Sequence, residues 1–217
     1  MTHSIKYHGA NVTITCEPTQ PIVGKVVDRK TQQPLAGVEI FSDQFAGEAL
    51  SGIHRIKTKT KADGTFRLVG MPKGPGNSIA IVPNDDQPYF MATRDVPVAA
   101  GLAPVEMKVE LDKGIWIRGK ATDKKTGEPI AGARLAFLPF LSNKFAATSS
   151  VVNGSNFGPA TIQDRYTTAA DGSYQLLGLP GKSIVGLLEI DGRYPAGAGF
   201  ETIDKEEIDQ KLSLIHI

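Results

Sequence analysis

The chain has 217 residues but only one cysteine, Cys16, one tryptophan, Trp116, and four histidines. A single thiol forms no intrachain disulfide and no cysteine-based zinc site. Low cysteine use suits the cytosol and many exported bacterial proteins alike. Nucleophilic catalysis sets a Ser or Cys beside a His. His3 and His8 lie in an N-terminal leader and His216 at the C-terminal end, which leaves only His54 inside a folded unit, where a surface loop accounts for it. Glycine-flanked nucleophile elbows and metal-ligand pairs such as H-E-x-x-H are missing. No apolar run approaches the roughly 18 residues that span a bilayer. Charge of one sign is lacking too: 24 basic against 23 acidic residues leave a net charge of +1, with no basic cluster interleaved with aromatics. Nucleic acid is therefore not an expected partner. Periodicity of 3.6 residues is nearly absent, and the one helical candidate, Asp204–Lys211, has no apolar stripe. These absences argue against an enzyme, and no catalytic residue, cofactor or metal ligand is expected.

What the chain does contain is a repeat. Pro21–Gly37 (PIVGKVVDRKTQQPLAG) returns 95 residues later as Trp116–Gly132 (WIRGKATDKKTGEPIAG). Lys61–Pro72 (KADGTFRLVGMP) returns as Ala169–Pro180 (AADGSYQLLGLP) at an offset of 108, so the second copy carries 13 extra residues between the blocks. The repeated residues are glycines, prolines, turn formers and alternating apolar positions, which a backbone path needs and a reaction does not.

Strand signals dominate both copies. Ile22–Val27, Thr65–Val69, Ser78–Val82, Ser173–Leu177 and Ile184–Ile190 are β-branched or alternate in and out. Asp63-Gly64 and Asp171-Gly172 suit tight hairpin turns. Each copy reads as about seven short antiparallel strands, and the fold class is all-β, a pair of sandwiches. The first core is expected to hold Ile22, Val38, Ile40, Phe66 and Leu68, and the second Ile117, Ala133, Leu135, Tyr174 and Leu176. Residues 19–112 are expected to form the first unit and 113–211 the second, joined through Asp112-Lys113-Gly114, a joint that permits bending but is short enough to forbid free tumbling. Val12–Cys16 alternates as Val105–Leu111 does, so residues 1–18 read as the closing strand of a preceding repeat or a leader, and the second unit reads as truncated at its own closing strand. Met1–Ala10 has no apolar signal-peptide core. Residues 212–217, LSLIHI, resemble the translation of a transposase end sequence used to tag DNA, and are set aside as an artefact.

The order G-K-V-x-D-x-x-T-x-x-P-L-A-G-V followed by A-D-G-x-F-x-L-x-G-x-P resembles the bacterial carboxypeptidase regulatory-like domain, in both copies. That resemblance implies two tandem transthyretin-like, Greek-key β-sandwiches of the carbohydrate-binding-like and Cna-B-like type. It further implies spacers, adhesive stalks or accessory modules in larger extracytoplasmic proteins, continuous with further domains and meeting protein or polysaccharide surfaces. The expected role is a non-catalytic structural or interaction module of a bacterial periplasmic or cell-surface protein. The alternative is a carbohydrate-binding accessory module of a secreted hydrolase or peptidase. The related collagen-adhesin B-type domain cross-links a Lys to an Asn or Asp. Lys25 and Lys120 hold the matching early-strand positions, but the first copy lacks the accompanying Glu, and exposed strand lysines that protect sheet edges explain both.

Four side chains stand out as surface-binding candidates. Trp116 and Arg118 alternate with Ile115 and Ile117, so they share the outward face if the isoleucines face in. An exposed indole stacks on sugars, while one beside a joint packs on the neighbouring unit. Phe140 and Phe145 belong to the second copy's long insertion, 138–165, where they either form a patch for a partner or fold back over their own core. Asn84-Asp85-Asp86 has the oxygen atoms of a calcium site without its spacing, which favours an Asx turn. Asp28 and Asp123 each open a turn and are expected to accept its backbone N–H groups.

Overall fold

The computed structural model describes residues 18–49, 55–140, 142–146, 166–189, 200–203 and 213–216. Among them are fourteen strands and no helix. In the first half these are β1 (Ile22–Asp28), β2 (Glu39–Phe45), β3 (Glu48–Ala49), β4 (Lys57–Lys59), β5 (Thr65–Leu68), β6 (Ser78–Val82), β7 (Ala92–Asp95) and β8 (Val105–Leu111). The second half has β9 (Ile115–Thr122), β10 (Arg134–Pro139), β11 (Ser173–Gly178), β12 (Ser183–Glu189), β13 (Phe200–Ile203) and β14 (Ser213–His216). The first half thus has eight strands, one more than its sequence pattern suggests, because the short β3 and β4 carry no alternation long enough to read.

Each half pairs in the same way. β1 lies between β5, antiparallel, and β8, parallel. β9 likewise lies between β11, antiparallel, and β14, parallel. The expectation of antiparallel strands throughout is corrected at these two ladders. The second sheet of the first half runs β3-β2-β6-β7, with β4 also on β2, and that of the second half runs β10-β12-β13. Residues 213–216, set aside on sequence grounds, form β14 and pair from Gly119↔Ser213 to Thr122↔His216.

Between each pair of sheets lies a buried cluster. Ile22, Val38, Ile40, Phe66 and Leu68 are all in the first, and Ile117, Ala133, Leu135, Tyr174 and Leu176 all in the second. Alternation on β9 is complete, with Ile115, Ile117, Gly119 and Ala121 buried and the residues between them partly exposed. Burying each large aliphatic side chain stabilises the fold by about 1.5–3 kcal/mol relative to leaving it in water.

The turns at Asp63-Gly64 and Asp171-Gly172 have the expected left-handed glycines, at φ 77° in both. Each is a tight turn closed by two backbone bonds, the Lys61 and Ala169 N–H groups donating to the Thr65 and Ser173 carbonyls at 2.8 Å and the Gly64 and Gly172 N–H groups donating back to the Lys61 and Ala169 carbonyls at 2.9 Å. In the first half the flanking strands do not pair with each other. Asp63-Gly64 links β4, which pairs with β2, to β5, which pairs with β1, so the chain crosses from one sheet to the other there. A Cβ on Gly64 would stand 2.6 Å from the Val26 carbonyl oxygen, so space as well as φ demands glycine.

Candidate functional site

The joint between the halves is held by residues far apart in sequence. Pro88–Phe90 runs beside Asp112–Gly114: the Phe90 N–H donates to the Asp112 carbonyl at 3.0 Å, and the Gly114 N–H donates to the Pro88 carbonyl at 2.8 Å. Tyr89 forms a bridge with Lys113. Neighbouring rings then diverge, Tyr89 packing against the first core and Phe90 against the second. Arg29 adds its Nε, 2.7 Å from an Asp112 carboxylate oxygen, while its N–H donates to the Leu111 carbonyl at 3.0 Å.

Asp28, buried at the end of β1, organises the first-half side of this joint. Its Oδ1 accepts the N–H groups of Lys30 at 2.8 Å and Thr31 at 2.7 Å, and its Oδ2 accepts the Tyr89 hydroxyl at 2.9 Å. Burial alone would raise its pKa, but the Thr31 and Lys30 N–H groups and the Tyr89 hydroxyl together hold it below the ordinary carboxylate value. Tyr89 moves the other way: burial first, then the bond to the Asp28 carboxylate, pushes it up to about 12. Asp123 repeats the turn, its Oδ1 accepting Lys125 N–H at 2.8 Å and Thr126 N–H at 2.9 Å.

Beside the joint opens a groove of about 740 Å³. Trp116 and Arg118 of β9 line it together, as their shared face requires, with Gln175 of β11, Tyr166 from beyond the insertion and Asp85 from the first half. The Arg118 Nε donates to the Gln175 side-chain oxygen at 2.6 Å. Such a surface offers a stacking ring and several hydrogen-bonding groups to a bound polar molecule.

Phe140 and Phe145 are absent from the described lining of the groove. Phe145 packs against the second core, and Phe140 is half-buried beneath the Lys182 ammonium, 5.2 Å from its ring. Asn143 holds this stretch down: its Nδ2 donates to the carbonyls of Pro180 at 2.9 Å and Lys182 at 3.1 Å, and its Oδ1 accepts the Phe145 N–H at 2.9 Å. The start of the insertion therefore folds onto its own core. Leu141, residues 147–165, His54 and the helical candidate 204–211 lie outside the described residues.

Asn84 sits in a turn, its N–H donating to the Gln87 side-chain oxygen at 3.0 Å. Among the described residues, no group of three or more His, Cys, Asp or Glu could hold a metal ion. Lys25 is exposed, but on the central strand β1, so it does not guard a sheet edge. Lys120 is half-buried on β9, also central.

Sequence reasoning missed several contributors. Thr60 and Thr168 stand at the repeat offset of 108, one position before the second repeated block, and each accepts a buried N–H, from Val38 and Ala133, at 2.9 Å. That offset was the available signal. Tyr89 carried none, and Asp85 was legible only as part of an Asx turn, since the partners of both are distant in sequence.

No family model and no curated protein matches the chain. Solved structures of similar fold include a Streptococcal ancillary pilin, 18% identical with a TM-score of 0.39 over 93% of this chain and 63% of that one. The shaft pilin SpaA from Lactobacillus rhamnosus GG is 12% identical with a TM-score of 0.33 over 91% and 97%. The 3-chlorocatechol 1,2-dioxygenase from Rhodococcus opacus 1CP is 19% identical with a TM-score of 0.34 over 45% and 61%. The chain thus spans under two thirds of the length of the ancillary pilin and of the dioxygenase.

Proposed function

We propose that this chain is a non-catalytic structural and interaction module, two tandem β-sandwiches of the carboxypeptidase regulatory-like type serving as spacer or adhesive repeats in a larger bacterial extracytoplasmic protein. The observation that carries this reading is the joint. A chain that only needed to connect two sandwiches would leave Asp112–Gly114 free, whereas here both sides are tied by backbone bonds from Pro88–Phe90 and by neighbouring rings that pack into two different cores. A stiff joint keeps successive units in line and presents their ends at a set distance. Small-angle scattering tests this. The native protein is expected to fit one elongated conformation. Gly114→Ala is expected to broaden it, because a Cβ there would stand 2.7 Å from the Phe90 ring and 2.8 Å from the Gly178 carbonyl oxygen. A native distribution as broad as the variant's sinks the spacer reading.

A second reading, a carbohydrate-binding accessory module, is favoured by the groove at Trp116. Because Trp116 is the only tryptophan, its fluorescence reports on that groove alone. Titration with soluble oligosaccharides is expected to give a saturable change that Arg118→Ala abolishes, if sugars bind there; flat titrations across a panel of neutral and acidic glycans remove this reading.

A further inference from the structure

We propose that the parallel ladder between β1 and β8 is a mechanical clamp, which lets the first sandwich carry tension along the chain. The inference rests on the spacer reading, since only a spacer is loaded end to end. Its basis is topology. The chain enters the unit at the Ile22 end of β1 and leaves it at the Leu111 end of β8. These strands are neighbours and run in the same direction, with seven residue pairs in register from Ile22↔Val105 to Asp28↔Leu111. Tension therefore pulls β1 backward from its start and β8 forward from its finish. The two strands are loaded in opposite directions along their length, and the evenly spaced bonds of a parallel ladder lie across the load. All of them must yield together. Had the strands been antiparallel, both tethers would sit at one end of the ladder and the bonds would break in succession.

Both ends of the ladder are reinforced. At the entry, the Val105 N–H donates to the Pro21 carbonyl at 2.8 Å, and the Gln20 side-chain amide donates to the Ala103 carbonyl at 2.9 Å. At the exit, the Arg29 N–H donates to the Leu111 carbonyl at 3.0 Å, and the Arg29 side chain grips Asp112 at 2.7 Å. Val26 and Val109, opposite one another in the ladder, are both fully buried, so sliding by one residue would turn the core face outward. With one cysteine no disulfide bypasses the ladder. The second unit repeats the arrangement, with four pairs between β9 and β14 among the described residues.

Single-molecule pulling in two directions tests the clamp in one protein. Cys16→Ser, Lys30→Cys and Lys113→Cys place thiol handles at two exposed positions beside the exit end of the ladder, and terminal tags supply the end-to-end direction. Pulled between its ends, the first unit is expected to release close to 30 nm, from about 3.3–3.6 Å per extended residue over Pro21–Leu111, at a force several-fold above that needed between the thiols, where the ladder is peeled from one end. A thermal midpoint matching the native protein establishes that the variant is folded. Equal rupture forces in the two directions overturn the clamp while leaving the spacer reading in place; a force difference together with a floppy joint in scattering upholds the ladder's resistance to shear but removes the spacer reading, and with it the tension the ladder would carry.

Discussion

Gly24→Ala is expected to destabilise the first half of the fold by about 3 kcal/mol, the upper end of the usual cost of overpacking a core. Gly24 lies in β1 opposite Phe66 on one side and Met107 on the other. A Cβ there would collide with the Met107 carbonyl oxygen and stand 2.8 Å from the Phe66 ring. The ring can turn, but the carbonyl is held in the β1–β8 ladder. β1 is central to its sheet, so moving it to relieve one ladder strains the other. Urea unfolding followed by circular dichroism measures the effect. A midpoint within error of the native one shows that the ladder can absorb a methyl group, and that its register is looser than the geometry indicates.

Thr60→Val is the second large effect, again about 3 kcal/mol. The Thr60 hydroxyl accepts the Val38 N–H at 2.9 Å and donates to the Leu35 carbonyl at 2.7 Å, and all three residues are buried. Valine matches the shape of threonine but leaves both backbone groups without a partner or water, at a cost of ~1–3 kcal/mol each. Thr60→Ser, which keeps the hydroxyl, is expected to recover most of the loss. If valine and serine prove equally mild, the hydroxyl is not what joins the β4 crossover to the turn before β2.

The repeated blocks made the class of fold legible. Alternation in Ile115–Ala121, the turn residues at Asp28 and Asp123, and the Asp-Gly pairs are local features, and local geometry places them as the pattern indicates: inward isoleucines, carboxylates accepting turn N–H groups, left-handed glycines. Trp116 and Arg118 follow from the same alternation, since two positions on one strand face must share surroundings. Phe145 was readable only as a choice between patch and core. Asn143, which decides for the core, makes its bonds to Pro180 and Lys182, and no window of neighbouring residues contains them.

By itself, then, the sequence determined that this is an all-β chain, five of the side chains in each buried cluster, and where its turns fall, because periods of two and turn chemistry are written in adjacent residues. Tertiary structure alone decided that β8 and β14 run parallel to β1 and β9, that the Asp63-Gly64 turn crosses between sheets, that Tyr89 and Phe90 lock the joint, and that Asp85 and Tyr166 meet Trp116 in one groove. A strand's side-chain alternation is the same whichever way its neighbour runs, and contacts between residues tens of positions apart come into being only when the sheets close on their cores.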